Sequence, residues 1–193
     1  MPVAFKSVRE FVEGLCRIGA ESFTEEAVSA YLRATPVDPA SLAPYLLWEP
    51  THYTRNLIFR DSLFELMAIC WDVGQASRIH NHAGQSCWMA VPVGRLVVQN
   101  YEVVSMDPAR GHCELREADR VEMDPDHPSR VDRERPVHAV LNLPEFGAPA
   151  ASLHVYSRPY DRCLVYDLAK RSYCEVPLFF DSEYGRRVSA PPR

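Results

Sequence analysis

The chain has 193 residues, of which 47% are hydrophobic and 24% charged, and its formal net charge is −5. Such a chain can bury a hydrophobic core without disulfides or structural zinc. The acidic balance argues against broad nucleic-acid binding, which requires a basic surface. No apolar run approaches the roughly 18 residues of a membrane span, and residues 1–17 do not resemble a signal peptide. We therefore expect a cytoplasmic protein without a membrane or nucleic-acid partner.

The six cysteines are scattered along the chain, and none forms a Cys-x-x-Cys pair. A zinc-ribbon site is therefore not indicated. In the absence of an export signal we interpret them as reduced thiols.

The N-terminal part, residues 1–47, is predicted to be helical. Apolar side chains from residue 8 to residue 15 recur at the spacing of one helix face. Ser22 followed by Glu25 resembles a capping box and predicts the start of a second helix. The pair Asp38-Pro39 is typical of an N-cap with proline at the first helical position.

The pattern changes in residues 50–185, where short apolar runs alternate with Gly, Pro, Asn and Asp turns. The predicted strands are 63–70, 85–91, 95–104, 137–141, 152–156 and 163–167. Many short strands separated by turns indicate a sandwich or a barrel. We therefore predict a single domain over residues 1–193 with a mainly β fold, in which the helical segment precedes the β-barrel core.

Two of the seven histidines occur together in His80-Asn81-His82. On a β-strand, residues i and i+2 point to the same face, so both imidazoles would reach one metal ion. Alone, the pair is more often an exposed polar pair than a metal site. The surrounding residues add specificity, because the chain reads G-x5-H-x-H-x4-C-x6-G and later P-x-H-x3-N, the last histidine being His138.

These two patterns resemble the paired motifs of the cupin superfamily, a β-sandwich or jelly-roll barrel. The resemblance implies a metal site formed by His80, His82 and His138. The usual motif has a glutamate ligand a few residues after the second histidine, and here Cys87 stands in that position. Imidazole ligands suit Zn, Cu, Fe and Ni alike. Three neutral ligands leave the metal its full charge, which favours a substrate that brings an anion such as a thiolate.

A second group of polar residues, Ser152, His154 and Tyr156, alternates with apolar residues. On a strand the three share one face and can form a hydrogen-bond relay. The alternative is a half-exposed strand with its polar face in water. The chain has no Gly-x-Ser-x-Gly elbow, so the group does not indicate a serine hydrolase.

A third feature is Tyr53-Thr54-Arg55-Asn56-Leu57, at the start of the β region. A lone arginine is usually a solvated surface residue. Inside a pocket, the planar guanidinium of Arg55 would bind a carboxylate.

Taken together with Cys70-Trp71 and Tyr160-Asp161-Arg162-Cys163, these motifs resemble the cysteine dioxygenase family over residues 45–185. The resemblance implies oxidation of L-cysteine to cysteine sulfinic acid by O2 at Fe(II) held by the three histidines. It makes Arg55 the clamp for the substrate carboxylate, with Tyr53 beside it. It also implies a monomer.

The same resemblance makes Tyr156 a hydrogen-bond donor near the iron, oriented by His154 and Ser152. It further implies a thioether crosslink between Cys87 and Tyr156.

The chain departs from the family after the tyrosine. Where the family commonly has Ser-Pro with a cis bond, this chain has Ser157 followed by Arg158. A cis bond before Arg158 would cost about 2.5–4 kcal/mol, so we expect a trans bond. We also expect Arg158 to reach the pocket and bind a carboxylate, which keeps 3-mercaptopropionate and mercaptosuccinate as alternative substrates.

Two other functions fit the fold. One is another cupin enzyme, such as an isomerase or a Zn or Mn enzyme. The second is a non-catalytic cupin that binds a small ligand. The combination of Arg55, three histidines and an oriented tyrosine argues against the second, because mere binding does not require it.

Overall fold

The structure is a computed structural model, and it describes residues 5–127, 129–130 and 136–189. Its helices are α1 (Val8–Ile18), α2 (Glu25–Ala34) and three 3-10 helices, Ala20–Ser22, Pro39–Tyr45 and Pro144–Phe146. In this part of the chain no helix is both long and apolar enough to cross a bilayer.

The helix starts follow from side-chain caps. A capping box begins α1, where Ser7 and Glu10 each accept a hydrogen bond from the other's backbone N–H. The predicted box at Ser22 is wrong, because the hydroxyl of Thr24 caps α2 by accepting from Ala27 N. Thr24 N bonds to the carbonyl of Ser22, which leaves Thr24 in the extended N-cap conformation. Asp38 caps the helix that Pro39 begins, as predicted, although this helix is 3-10.

The remainder of the described chain is mainly β. The strands are β1 (Thr54–Arg60), β2 (Phe64–Trp71), β3 (Ile79–His80), β4 (Cys87–Val93), β5 (Leu96–Asp107), β6 (His112–Met123), β7 (Ser129–Arg130), β8 (Val137–Leu141), β9 (Ala150–Ser157), β10 (Arg162–Asp167), β11 (Ser172–Pro177), β12 (Ser182–Glu183) and β13 (Arg186–Arg187). The six predicted strands are β2, β4, β5, β8, β9 and β10, with ends displaced by at most three residues.

The strands form two hydrogen-bonded sets. One is a seven-stranded sheet in the order β13-β12-β1-β2-β9-β4-β7, and the other closes into a barrel in the order β10-β11-β6-β5-β8-β3. The predicted mainly β barrel with N-terminal helices is therefore confirmed.

The central strand β2 is buried on both faces, and its side chains alternate between two cores. On one face, Phe64 and Leu66 join Trp88 and the apolar residues of α1 and α2 in a hydrophobic core. Trp88 Nε1 also donates to Ser29 Oγ of α2 at 3.1 Å. On the other face, here called the inner face, Met67 packs in a second core that includes residues of β5 and β8. Tyr156 belongs to this core, which places the polar residues of β9 on the inner face.

Candidate functional site

The three histidines converge from adjacent segments. His80 ends β3 and pairs in register with His138 of β8, so the two side chains are cross-strand neighbours. The expectation that His82 shares a strand with His80 is wrong, because β3 ends at His80 and His82 lies in the following loop. Its ring still lies 5.2 Å from that of His80 and 4.8 Å from that of His138, centroid to centroid.

The cluster has the properties of a metal site. One ring nitrogen of each histidine can serve as ligand, and these atoms lie within 4.8 Å of one another. Both ring nitrogens of His82 and Nδ1 of His138 are buried without a hydrogen-bond partner in the described structure. Buried polar atoms are normally paired. These unpaired ring nitrogens are therefore suited to coordinating a metal ion. The three residues therefore fit a divalent metal ion that prefers imidazole.

The protonation of the histidines also suits a metal. Burial lowers the pKa of His80 to about 4 and the pKa of His82 and His138 well below the usual value. All three are therefore neutral near pH 7, which is the form that binds metals. His80 Nδ1 donates to the backbone oxygen of Arg78 at 2.8 Å, which leaves Nε2 with the free lone pair.

A buried relay lies beside the cluster, formed by the polar face of β9. Trp71 Nε1 donates to Ser152 Oγ at 2.9 Å, and Ser152 Oγ lies 2.8 Å from His154 Nε2. His154 Nδ1 lies 3.0 Å from the hydroxyl of Tyr156. Burial, followed by the charge of Arg55, lowers the pKa of His154 to about 3, so its ring is neutral and has one donor and one acceptor.

The relay permits two proton arrangements. In one, Ser152 donates to His154 Nε2, the Nδ1 proton faces the Tyr156 oxygen, and the phenol proton is free to point into the site. In the other, Tyr156 donates to Nδ1 and His154 donates from Nε2 to Ser152. Both arrangements keep the His154 ring neutral. The Tyr156 hydroxyl can therefore either donate or accept a hydrogen bond, according to the group bound beside it.

Cys87 is the cross-strand partner of Tyr156. Both are buried, and Cys87 Sγ lies 3.8 Å from His154 Nδ1. Burial raises the pKa of the Cys87 thiol and that of the Tyr156 phenol, so both are protonated at neutral pH.

Arg55 is held in β1 with a partly free guanidinium. Its backbone N–H donates to Asp181 Oδ2 at 2.8 Å, and its guanidinium carbon lies 5.7 Å from the centre of the Phe180 ring. Nε and Nη2 are buried and have no hydrogen-bond partner among the described residues. A buried cation with free donors is suited to a carboxylate. Tyr53 stacks on Trp71 beside it, with ring centroids 4.6 Å apart.

These groups border one cavity of about 400 Å³. Its lining residues are Tyr53, Arg55, Ile69, Trp71, Ser77, Arg78, His80, Val140, His154, Tyr156, Tyr160, Cys163, Val165, Val176, Pro177, Leu178 and Phe179. The structure thus brings Tyr53, Arg55, His154 and Tyr156 together around the cavity that His80 of the histidine cluster also lines. The volume is in the usual range for small-molecule sites, about 300–1,000 Å³.

Arg158 is not part of this cavity, and the expectation that it enters the pocket needs correction. Its side chain is exposed and lines a separate surface depression with Ser157 and Glu25. It has a φ of 64°, and its N–H donates to the carbonyl of Leu63 at 2.7 Å. This left-handed residue ends the alternation of β9, so its side chain does not follow Tyr156 to the inner face. The bond before it is trans, as predicted.

Three further residues border or adjoin the site without having been predicted there. Tyr160 lies with its ring 5.3 Å from that of Tyr156, centroid to centroid. Arg78 lines the cavity two residues before His80, a spacing that could have indicated a shared face. Glu65 is the one charged residue of the apolar run that forms β2, and this position was the available signal.

The comparisons with known proteins identify the family. The family model for cysteine dioxygenase type I matches residues 21–169. The chain belongs to this family.

Cysteine dioxygenase type 1 of Homo sapiens is 30% identical over 165 residues, which are 84% of this chain and 80% of the relative. The Rattus norvegicus enzyme is 30% identical over 164 residues with the same coverage. A solved sugar phosphate isomerase of a cupin superfamily from Silicibacter pomeroyi has a TM-score of 0.43 and 17% identity, and the match covers 72% of this chain and 82% of that one. The cysteine dioxygenase family predicted from the motifs is confirmed.

Proposed function

We propose that this protein is a thiol dioxygenase that oxidises L-cysteine to cysteine sulfinic acid with O2 at an Fe(II) site. The observation that carries the proposal is the cavity itself, which is lined by an arginine with free donors and by His80, one of three neutral, closely spaced imidazoles. Both oxygen atoms of O2 end on the sulfur, so R–SH and O2 give R–SO2H. The four electrons that the sulfur loses reduce the O2, and no other reductant is needed.

His80, His82 and His138 would hold the iron. Oxygen-activating non-haem Fe(II) enzymes also use a small histidine-rich ligand set, normally with one carboxylate. When bound, the iron supplies coordination of the thiolate and activation of O2. The donor set alone also suits zinc, so metal analysis must accompany any activity measurement.

The chain's own residues bind and orient the substrate. Arg55 binds its carboxylate through the free guanidinium nitrogens, and the stacked rings of Tyr53 and Trp71 form a rigid wall beside it. The Tyr156 hydroxyl, oriented by His154, donates a hydrogen bond toward the reacting sulfur. The apolar lining excludes water from these contacts, which strengthens them.

The proposal includes a thioether between Cys87 and Tyr156, supported by their cross-strand pairing. The bond forms between the sulfur and a ring carbon, replacing one S–H and one ring C–H. The two electrons and two protons go to O2, giving hydrogen peroxide. Intact mass and peptide mapping after turnover should show a species lacking two hydrogen atoms, and Cys87→Ser should abolish it. If turnover never produces that species, the crosslink is excluded.

A second substrate class is favoured by Arg78. Among the described residues that line the cavity there are two arginines and no carboxylate. Arg55 has buried donors, while Arg78 is exposed. A thiol with two carboxylates, such as mercaptosuccinate, would engage both, whereas 3-mercaptopropionate would use Arg55 alone.

The test is O2 uptake by the iron-loaded protein, with each thiol at matched concentration and the sulfinate product quantified. Cysteine should give one sulfinate per O2. Arg55→Gln should raise the KM for cysteine about tenfold, the effect of losing a charge-assisted contact of about 1.4 kcal/mol. Arg95→Gln, an exposed arginine paired with Glu122, serves as the control. Turnover of another thiol far above cysteine would contradict the cysteine assignment.

We further propose that the chain acts as a cytoplasmic, single-domain monomer over residues 1–193, without nucleic-acid or membrane partners. Its acidic charge supports the absence of a nucleic-acid partner. Sedimentation velocity of the iron-loaded protein should give one species near 22.0 kDa.

A further inference from the structure

Glu65 is a buried carboxyl group on β2 with no role in the chemistry described above. Its relative exposure is 0%, although it carries the only charge in β2. It is in phase with Met67, so it points to the inner face, toward the core that includes Tyr156. Carboxyl groups are almost never fully buried unless they are paired.

The strand register places Glu65 in a row of functional side chains. Glu65 is opposite Arg60 of β1 on one side and opposite Tyr156 of β9 on the other. Tyr156 is in turn opposite Cys87 of β4. Residues opposite each other on antiparallel strands share a face, with Cβ atoms about 4.5–5.5 Å apart. Glu65 is therefore the direct neighbour of Tyr156. Arg55 is opposite Ile69 of β2, which is in phase with Glu65, so Arg55 and Glu65 lie on the same face of the sheet.

The carboxyl group is poorly compensated. Neither oxygen has a hydrogen-bond partner within the part of the chain that the structure describes. Arg60 Nε lies 3.5 Å from Oε2, but Arg60 Nη2 also pairs with the exposed Asp161 at 2.9 Å. Burial raises the pKa of Glu65 to about 7, against the opposing effects of Arg60 and Arg55. Glu65 is thus neutral below this pH and negative above it.

We propose that Glu65 is a proton-dependent counter-charge to Arg55 that controls how tightly the substrate carboxylate binds. As a neutral acid it leaves the Arg55 guanidinium free for the substrate. As a carboxylate it offsets that charge and repels the incoming anion. This inference rests on the proposed function, in which Arg55 binds a carboxylate.

The charged and titratable groups around Glu65 come from each neighbouring element. They are Arg55 and Arg60 of β1, Tyr156 of β9, Cys87 of β4, and Tyr160 and Asp161 of the segment before β10. Burial raises the pKa of Cys87, Tyr156 and Tyr160, so all three stay neutral near pH 7. Both arginines stay charged and Asp161 is exposed. Glu65 is therefore the group in this set that changes charge near neutrality.

The experiment measures KM and kcat for L-cysteine between about pH 6 and about pH 8, across the Glu65 transition. In the wild-type protein KM should rise about tenfold with pH, a coupling of ordinary size. In Glu65→Gln the part of the KM rise that comes from Glu65 ionisation should disappear, and kcat should change little. Glu65→Asp, which keeps an ionisable group, should restore a pH-dependent KM.

Two controls separate this effect from a general disturbance of the site. Cysteamine has the thiol and the amine of cysteine but no carboxylate, so Glu65→Gln should not change the pH dependence of its KM or of its inhibition constant. Asp161→Asn removes the other carboxyl group on Arg60. It should retain the pH dependence with a midpoint at lower pH, because Asp161 raises the pKa of Glu65.

A readout without turnover is infrared difference spectroscopy across the same pH range. A protonated-carboxyl band that disappears as pH rises through about 7 should be present in the wild-type protein and absent from Glu65→Gln. The inference is overturned if the band is missing, if both proteins share one KM profile for cysteine, or if cysteamine is affected equally. By contrast, no O2 uptake with any thiol would contradict the proposed function, and the infrared titration would still decide the charge state of Glu65.

Discussion

The hydroxyl of Tyr156 is the proposed hydrogen-bond donor to the substrate, and His154 and Ser152 orient it. Tyr156→Phe removes that hydroxyl while keeping the ring, the fold and the three histidines. We expect iron content to stay unchanged and kcat to fall about 100-fold, the low end for loss of an oriented proton donor. Metal analysis and steady-state kinetics check this.

The matched control is Tyr31→Phe, whose ring packs against Phe11 and whose hydroxyl donates to the backbone oxygen of Phe11 in α1 at 2.9 Å. It should leave kcat within about twofold, since this hydroxyl lies in the helical layer on the opposite face of the sheet and has no catalytic contact. Equal losses in the two variants would contradict a specific role for Tyr156.

The ionisation of Glu65 should also affect the free energy of unfolding. Its folded pKa, about 7, is above the usual 4.5, so folding favours the protonated form. The ionised Glu65 side chain destabilises the fold. This destabilisation is absent at low pH, grows as pH rises from about 4.5 to about 7, and is complete above that range. The full cost is about 3 kcal/mol. Glu65→Gln should accordingly gain stability relative to wild type between pH 5 and pH 8, measured by denaturant unfolding of the metal-free protein.

At the scale of elements, the connection between β4 and β5 has a strict steric requirement. Gly94 has a φ of 73°, and a Cβ added there would lie 2.6 Å from the carbonyl oxygen of Pro149. Because β4 carries Cys87 and pairs with β9, this close approach fixes two strands of the site. Glycine alone satisfies both the backbone conformation and the available space.

Gly94→Ala should therefore destabilise the protein by at least about 1–2 kcal/mol, the cost of the left-handed conformation before any clash. Thermal unfolding measures this. Gly84→Ala provides the control, since it also has a positive φ but meets no atom within 4 Å. If the two substitutions cost the same, the contact with Pro149 is unimportant.

Local patterns in the sequence predicted a large part of these elements. Period-two alternation placed Ser152, His154 and Tyr156 on one face, and their hydrogen bonds show that they share it. The bounds of β8 agree with the prediction. Such features depend on neighbouring residues, so a single sequence contains them.

Features that depend on pairing between distant segments were not predictable. The row of Glu65, Tyr156 and Cys87 arises from the register of three strands, which a sequence does not state. Arg158 was misplaced because a left-handed residue ends the alternation of β9. The sequence predicted His82 on a strand that in fact ends two residues earlier, at His80. Its side chain still lies beside His138 in the histidine cluster.

At the scale of the whole molecule, the helices and the site lie on opposite faces of one sheet. α1 and α2 pack on the face with Leu66, while the histidines, the relay and the cavity lie on the barrel side. Sites supported by strands are held more firmly than sites built on loops. The scaffold therefore presents a preorganised cavity, with His82, Tyr160 and Arg78 contributed by the connecting segments.

The central claim is that the three histidines bind iron for O2-dependent thiol oxidation. The most direct test titrates the metal-free protein with Fe(II) under anaerobic conditions, then measures bound iron and cysteine-dependent O2 uptake in the same samples. We expect activity to rise in proportion to iron up to one ion per chain, with zinc giving no activity, and His138→Ala to bind no iron. Full iron occupancy without thiol-dependent O2 uptake, or equal activity with zinc, would contradict the account.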